Sequence, residues 1–450
     1  MTTPTEKPAR PKSTVRHTRA IQRDRRHRPA VAPPDPALAT RLTALIHPAT
    51  LAQVHAYHAC GLRERTLTLP IMMAFVLSLI WRQVGTVQET VRLLQREGLL
   101  WTAPLLVSQQ AISQRLQTLP ADLFAAVYHA ILPAILSRWQ ARTRPLAPAL
   151  AWAHARFTGV WALDGSTLDG LLRHAGLLRD TVGTPLAGRM VGLLDVAARV
   201  PRQVWYDPDS TAHDQSFWDR ILPALPPGIL LLIDLGWVNY GHYDQLTAQG
   251  VWLLTRAKTN AATTVRRVVR RTATLRDEIV TLGSAATACT QPMRLIQVCY
   301  QGQWYRYITN VLDPAVLPAE YVVALYGHRW RIEEAFAVVK RLLGLAYFWT
   351  GGENGITVQV WATWILYVVL IDLRDAVAEE LAQPADALSL EMVYRALYHF
   401  TQAYHRGEAT DPIAYLATEA KGLGLLKQKR PRAVARLPDL TTGANPLTCS

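Results

Sequence analysis

Cysteine is scarce in this chain: four in 450 residues, at Cys60, Cys289, Cys299 and Cys449. None stands in a C-x-x-C pair, and no Cys/His set has zinc-ligand spacing. That excludes a disulfide-framed secreted fold and a zinc-finger module, and reduced thiols are the expectation. Acidic residues are also in deficit, 34 against 48 Lys and Arg, for a formal net charge of +14. The imbalance suits a polyanionic partner, nucleic acid first. A soluble enzyme that is merely basic is the other reading of charge alone. Long apolar runs are missing too. The longest, Ile71–Trp81 and Val360–Ile371, fall short of the ~20 residues that span a bilayer and read as buried helices. No membrane association is expected. The N-terminus is arginine-rich without an apolar core segment, so it does not read as a secretory signal.

What the chain does have is a change of texture along its length. At this size two or three domains are expected. Residues 1–35 cluster Arg16, Arg19, Arg23, Arg25, Arg26 and Arg28 and are too poor in apolar residues to fold alone. They read as a disordered basic arm touching phosphates, or as a solubilising tail. Residues 36–150 read as helical, a candidate DNA-binding region. There Ser108 is placed to cap a helix whose polar face carries Gln109, Gln110, Ser113 and Gln114. That face suits the reading of base edges, and equally a plain solvated surface.

From 151 to 350 the pattern becomes α/β. The apolar run Phe157–Leu163 ends at Asp164, Met190–Val196 and Gln203–Tyr206 follow as strands, and Ala212–Leu222 reads as a helix. The apolar run Gly228–Ile233 then ends at Asp234. Three strands, a helix and a fourth strand fit a ribonuclease-H-like layer with two strand-end aspartates at one edge. Residues 250–310 read as a β-rich insertion, with segments Val251–Thr255, Glu278–Leu282, Arg294–Tyr300 and Trp304–Thr309. Arg256, Lys258, Arg266, Arg267, Arg270 and Arg271 lie between them. Residues 319–343 and 351–426 read as helical, the latter a candidate dimerisation region. A basic tail occupies 427–450.

Clustered carboxylates are what two-metal phosphodiester chemistry needs, because Mg²⁺ prefers hard oxygen ligands. The third candidate comes from Tyr326-Gly-His-Arg329-Trp-Arg-Ile-Glu333-Glu-Ala-Phe-Ala-Val-Val-Lys340. On one continuous helix the offsets 3, 7 and 14 would align Tyr326, Arg329, Glu333 and Lys340 as a polar stripe. An exposed helix with an i,i+4 Arg–Glu pair would not account for the tyrosine or for the two preceding aspartates.

This stripe resembles the Tyr-Arg-Glu-Lys signature of the bacterial DDE transposases of insertion sequence family four. The resemblance extends to Asp164-Gly-Ser-Thr, Asp234-Leu-Gly-Trp and Leu254-Thr-Arg-Ala-Lys258, and spans about 157–350. It implies a catalytic and metal-binding triad of Asp164, Asp234 and Glu333, holding Mg²⁺, with Mn²⁺ as a substitute, as two ions. It implies DNA contacts by Tyr326, Arg329 and Lys340, of which Arg can grip a phosphate with two bonds. Arg256 matches a DNA-contacting arginine. Trp304 matches a tryptophan that stacks on a flipped base, although a core role within the β region suits it equally. The implied activity is cut-and-paste transposition. The partners would be terminal inverted repeats and target DNA, the enzyme a homodimer in the synaptic complex, and the setting the bacterial cytoplasm and nucleoid. A hairpin step is part of the family pattern. One helical turn after Glu333 stands Ala337, where some relatives of that family carry lysine. A nuclease that cuts without joining and a catalytically silent DNA-binding regulator are the alternatives.

Overall fold

The protein is described here by a computed structural model covering residues 36–62, 65–84, 86–168, 188–284, 287–345 and 352–427. The expected basic arm and all of the basic tail beyond Lys427 lie outside the described residues.

Helices come first: α1 (Pro36–Leu51), α2 (Val54–Ala59), α3 (Leu69–Trp81), α4 (Val87–Arg96), α5 (Gln109–Thr118), α6 (Asp122–Ala141) and α7 (Pro148–His154). Local chemistry sets several of their starts. Thr86 accepts the Glu89 amide at 3.1 Å and Ser108 the Ala111 amide at 3.1 Å, each an N-cap that satisfies an otherwise orphaned donor. α3 is apolar on every side and buried on nearly every side. The connection from Glu97 to Ser108 is much longer than the ~4-residue turn of a helix-turn-helix. α4 and α5 are therefore not that motif, although Gln109, Gln110 and Gln114 are exposed.

The sheet follows: β1 (Gly159–Thr167), β2 (Arg189–Asp195), β3 (Val200–Asp207), a short helix α8 (Trp218–Ile221), β4 (Ile229–Ile233), α9 (Tyr240–Ala248), β5 (Trp252–Arg256), β6 (Thr263–Arg271), β7 (Leu275–Leu282), β8 (Met293–Tyr300) and β9 (Gln303–Thr309). All nine form one sheet in the order β3-β2-β1-β4-β5-β9-β8-β7-β6. β1 pairs parallel with β4 and β4 with β5; the other ladders are antiparallel. β4 is buried at every position, as a parallel strand covered on both faces must be. The β-rich segment is thus an extension of the same sheet, joined through β5 and β9. The expected helix over 212–222 is broken into a 3₁₀ turn (Asp214–Phe217), one turn of α8 and a second 3₁₀ turn at Pro223, because proline cannot supply an interior helix donor.

The chain closes with α10 (Ala319–Gly327), α11 (Trp330–Ala337), a π-helical turn (Val338–Leu342), α12 (Glu353–Glu380), α13 (Leu390–His405) and α14 (Pro412–Thr418). α12 is a central pillar. By length and composition it could span a bilayer, yet 94% of its apolar window is buried inside the protein. It packs against α6, α3 and α14. Two of its carboxylates lock the N-terminal helices to it. Asp372 accepts from Arg41 at 3.1 Å, Arg138 at 3.1 Å and Arg142 at 2.7 Å, and Asp375 pairs with Arg142 at 3.1 Å and Arg144 at 2.6 Å.

Reduced thiols hold for Cys60 and Cys289, which are free.

Candidate active site

The parallel ladder between β1 and β4 ends at the pair Leu163↔Ile233. The next residue on each strand is Asp164 and Asp234. Their adjacency follows from register: two parallel neighbours in step deliver consecutive residues to one sheet edge. Asp164 does not end its strand, as the sequence suggested. β1 continues to Thr167 through antiparallel pairing with β2, which fixes the Asp164 backbone opposite Gly192.

Glu333 comes from α11, which packs on β1 and β2. Gly192 permits that approach: a Cβ there would lie 3.3 Å from the Phe336 ring. The stripe expected on one helix is assembled across a break instead. Tyr326 lies in the last turn of α10, Arg329 sits at the junction, Glu333 is in the first turn of α11, and Lys340 lies in the π-helical turn.

Arg329 gathers the acids. Nη1 donates to Asp164 Oδ2 at 2.9 Å, Nη2 donates to Glu333 Oε1 at 2.9 Å, and Nη2 lies 4.0 Å from Asp234 Oδ1. Only 4% of Arg329 is exposed, and its Nε is buried without a hydrogen-bond partner. Tyr326 Oη reaches Asp234 Oδ1 at 3.5 Å, and its ring meets Tyr307 edge-on at 5.5 Å. Lys340 Nζ donates to the Thr167 carbonyl at 2.9 Å, at the far end of β1. Arg256, exposed at the end of β5, lies over the Tyr305 ring and acts electrostatically on Tyr326. Trp304 is not brought to the carboxylates. It lies on β9 opposite Cys299, with the Arg276 guanidinium 4.4 Å from its ring.

The electrostatics follow from burial. Asp164 is pushed up to about 6 by desolvation; Arg329 and the Gly165 amide oppose that, and Glu333 and Asp234 add to it. Tyr326 is pushed up to about 12, again by burial first. Two residues that the sequence did not mark belong to the same edge. Asp214 accepts from Arg189 Nε at 2.9 Å. A Cβ on Gly165 would lie 2.5 Å from Asp214 Oδ1, and one on Gly236 3.4 Å from Oδ2. Asp214 is therefore wedged between the turns that follow Asp164 and Asp234. The only sequence signal for it was the pair of glycines just after those aspartates.

Among the described residues, no three His, Cys, Asp or Glu side chains form a ready metal-ligand group; the Arg329 guanidinium lies within 4.0 Å of an oxygen of each of Asp164, Asp234 and Glu333. The donors still suit a hard divalent ion. All are carboxylate oxygens on or directly beside regular elements, and they already surround one positive charge. Metal occupancy would require Arg329 to turn aside.

Residues 190–369 match the family model of the transposase DDE domain. The match begins at β2 and runs into α12, so it includes Asp234, the Tyr326–Lys340 segment and Glu333. A protein of Sinorhizobium fredii (strain NBRC 101917 / NGR234) described as "Putative transposase y4zB" is 26% identical over 257 residues, 50% of this chain and 72% of that protein. Both matches are to transposases. Among solved structures, the piggyBac transposase synaptic complex with hairpin DNA, determined by cryo-EM, is similar with a TM-score of 0.41 and 10% identity. That comparison covers 88% of this chain and 87% of the other.

Proposed function

We propose that this protein is a cut-and-paste transposase of the Tyr-Arg-Glu-Lys type, with Asp164, Asp234 and Glu333 as its catalytic and metal-binding residues. The observation that carries the reading is the convergence of three carboxylates, from two parallel strands and one helix, within 4.0 Å of the Arg329 guanidinium. The strand order β3-β2-β1-β4-β5, antiparallel then parallel, supports a ribonuclease-H-like core under this edge.

Bound Mg²⁺ or Mn²⁺, as a pair, would polarise the phosphodiester and lower the pKa of the attacking water or 3′-hydroxyl. The protein's own part is to hold and orient. Asp164 and Asp234 stand in register on the sheet, and Glu333 closes the third side. Lys340 and Arg256 flank the edge with positive charge suited to phosphates. Arg329, once released from the acids, has the fork geometry to grip a phosphate beside the cleaved end. Trp304 serves as a base platform only if DNA runs along the far part of β9. The substrates are terminal inverted repeats and target DNA, handled by a homodimer in the bacterial cytoplasm, with a hairpin as the intermediate on the cleaved end.

The test is incubation of the full chain with Mg²⁺, DNA carrying the element's own ends, and a target plasmid. Cleavage at the ends and joined products are expected, both lost in Asp164→Asn, Asp234→Asn and Glu333→Gln. Cutting without joining would make it a nuclease. Binding of ends with no cutting in Mg²⁺ or Mn²⁺ would make it a regulator.

A further inference from the structure

A second charged cluster lies on the opposite side of α11 from the three acids. Arg331 precedes Glu333 by two residues, so at about 100° per residue its side chain leaves from the other face of the helix. It donates to the Val196 carbonyl at 2.7 Å and to Asp386. Arg199, in the turn between β2 and β3, pairs with Glu334 at 2.8 Å and with Asp386 at 2.6 Å. Arg374 of α12 completes the floor. It is 2% exposed, its Nε is buried without a hydrogen-bond partner, and no carboxylate among the described residues pairs with it. Its sequence neighbour Asp375 is occupied by Arg142 and Arg144. Lys427 stands at the rim, its amide held by the Ala387 carbonyl at 2.7 Å, beside Asp386. Arg199, Arg331 and Lys427 each act electrostatically with Arg374 or with one another.

Two carboxylates, Glu334 and Asp386, pair directly with the cations of this cluster. Their side chains are 54% and 39% exposed, so they lie nearer solvent than the Arg374 guanidinium, on which Asp375 and Glu334 act electrostatically without a direct pair. Burying a lone guanidinium is costly unless an anion meets it. Planar guanidinium forks match the oxygens of a tetrahedral oxyanion, each offering two donors.

We propose that this cluster is a phosphate-binding site, with Arg374 at its floor, Arg199 and Arg331 as its walls and Lys427 at its rim. It is separate from the catalytic edge and does not depend on the transposition reading. The phosphate comes either from a DNA backbone or from free inorganic phosphate. Both present the same oxygens.

Thermal unfolding of the full chain is measured against inorganic phosphate, with chloride at matched ionic strength. A saturable rise in Tm is expected. It should vanish in Arg374→Gln and persist in Arg395→Gln, an exposed control on α13 paired with Glu391. Glu334→Gln removes an acid from the mouth and should tighten phosphate binding several-fold, which keeps the test decisive if Arg374→Gln does not fold. A flat response in the parent, an undiminished rise in Arg374→Gln, or unchanged or weaker binding in Glu334→Gln would overturn the site. Adding a short duplex identifies the source: competition with phosphate assigns a backbone phosphate, and independent binding assigns the free anion.

Discussion

Arg329 donates to Asp164 at 2.9 Å from a junction between two helices, and the same guanidinium donates to Glu333. One buried cation therefore compensates mutual repulsion among three acids. Arg329→Gln should destabilise the metal-free protein by about 1–2 kcal/mol, less than a fully buried pair would lose because Asp234 and Glu333 are partly exposed. Mn²⁺ should raise the Tm of the variant more than that of the parent, since the ion no longer competes with the guanidinium. Equal Tm values for both proteins in metal-free buffer would disprove the countercharge role.

Asp164 predicts a pH dependence of stability. Its folded pKa, about 6, lies above the ordinary 3.8. Between those values the folded state holds the proton more tightly than the unfolded state, so this residue's contribution falls as pH rises from about 4 to about 6 and stays low above that. Asp164→Asn removes the term. Relative to the parent, the variant should gain on the order of 2 kcal/mol above pH 6 and nothing near pH 4. Urea melts at pH 4, 5, 6 and 7 give the difference directly, and a gap that does not change with pH would count against a raised pKa.

Gly165→Ala places a methyl group 2.5 Å from Asp214 Oδ1 and 2.9 Å from Arg189 Nη2. A loss of about 1–3 kcal/mol is expected, as for an overpacked site. Asp214→Ala should relieve part of that collision, so the double variant should lose less than the sum of the singles. Strict additivity in denaturation would show that the wedge between the two turns is unimportant.

Arg294 is fully buried and grips Asp277 with two bonds, at 2.7 and 2.6 Å, while also donating to the Leu317 carbonyl at 2.7 Å. It ties β7 and β8 to the segment that starts α10 and so to Tyr326. Arg294→Met strands a buried carboxylate and should cost about 3–5 kcal/mol in equilibrium unfolding. Asp277→Asn in the same background should recover part of it, and a variant as stable as the parent would refute the tie.

Asp234 was legible because β4 is one uninterrupted apolar run and the residue that breaks the run follows the strand's end, whereas Asp164, read the same way, stands inside β1, whose polar end is held by β2. Glu333 was legible through its spacing from Tyr326, Arg329 and Lys340. The single-helix stripe was not correct, since periodicity cannot show a break that Gly327 and His328 permit without a proline. β6 was hidden for a different reason. It is an edge strand, so Val265 and Val268 stay exposed, and its four arginines and two register irregularities erase the alternation that marks a half-buried strand. The Arg374 cluster left no sequence signal at all, because its members come from five distant segments.

Deletion experiments inherit a constraint from the pillar helix α12. The helices before residue 155 clamp onto it through Asp372 and Asp375, so a protein cut short near residue 350 would release those arginines and leave the apolar faces of α3 and α6 with nothing to cover. Shortened versions of this chain should emerge as sticky, protease-sensitive material instead of a working front half. Any dissection into separate activities has to spare that helix.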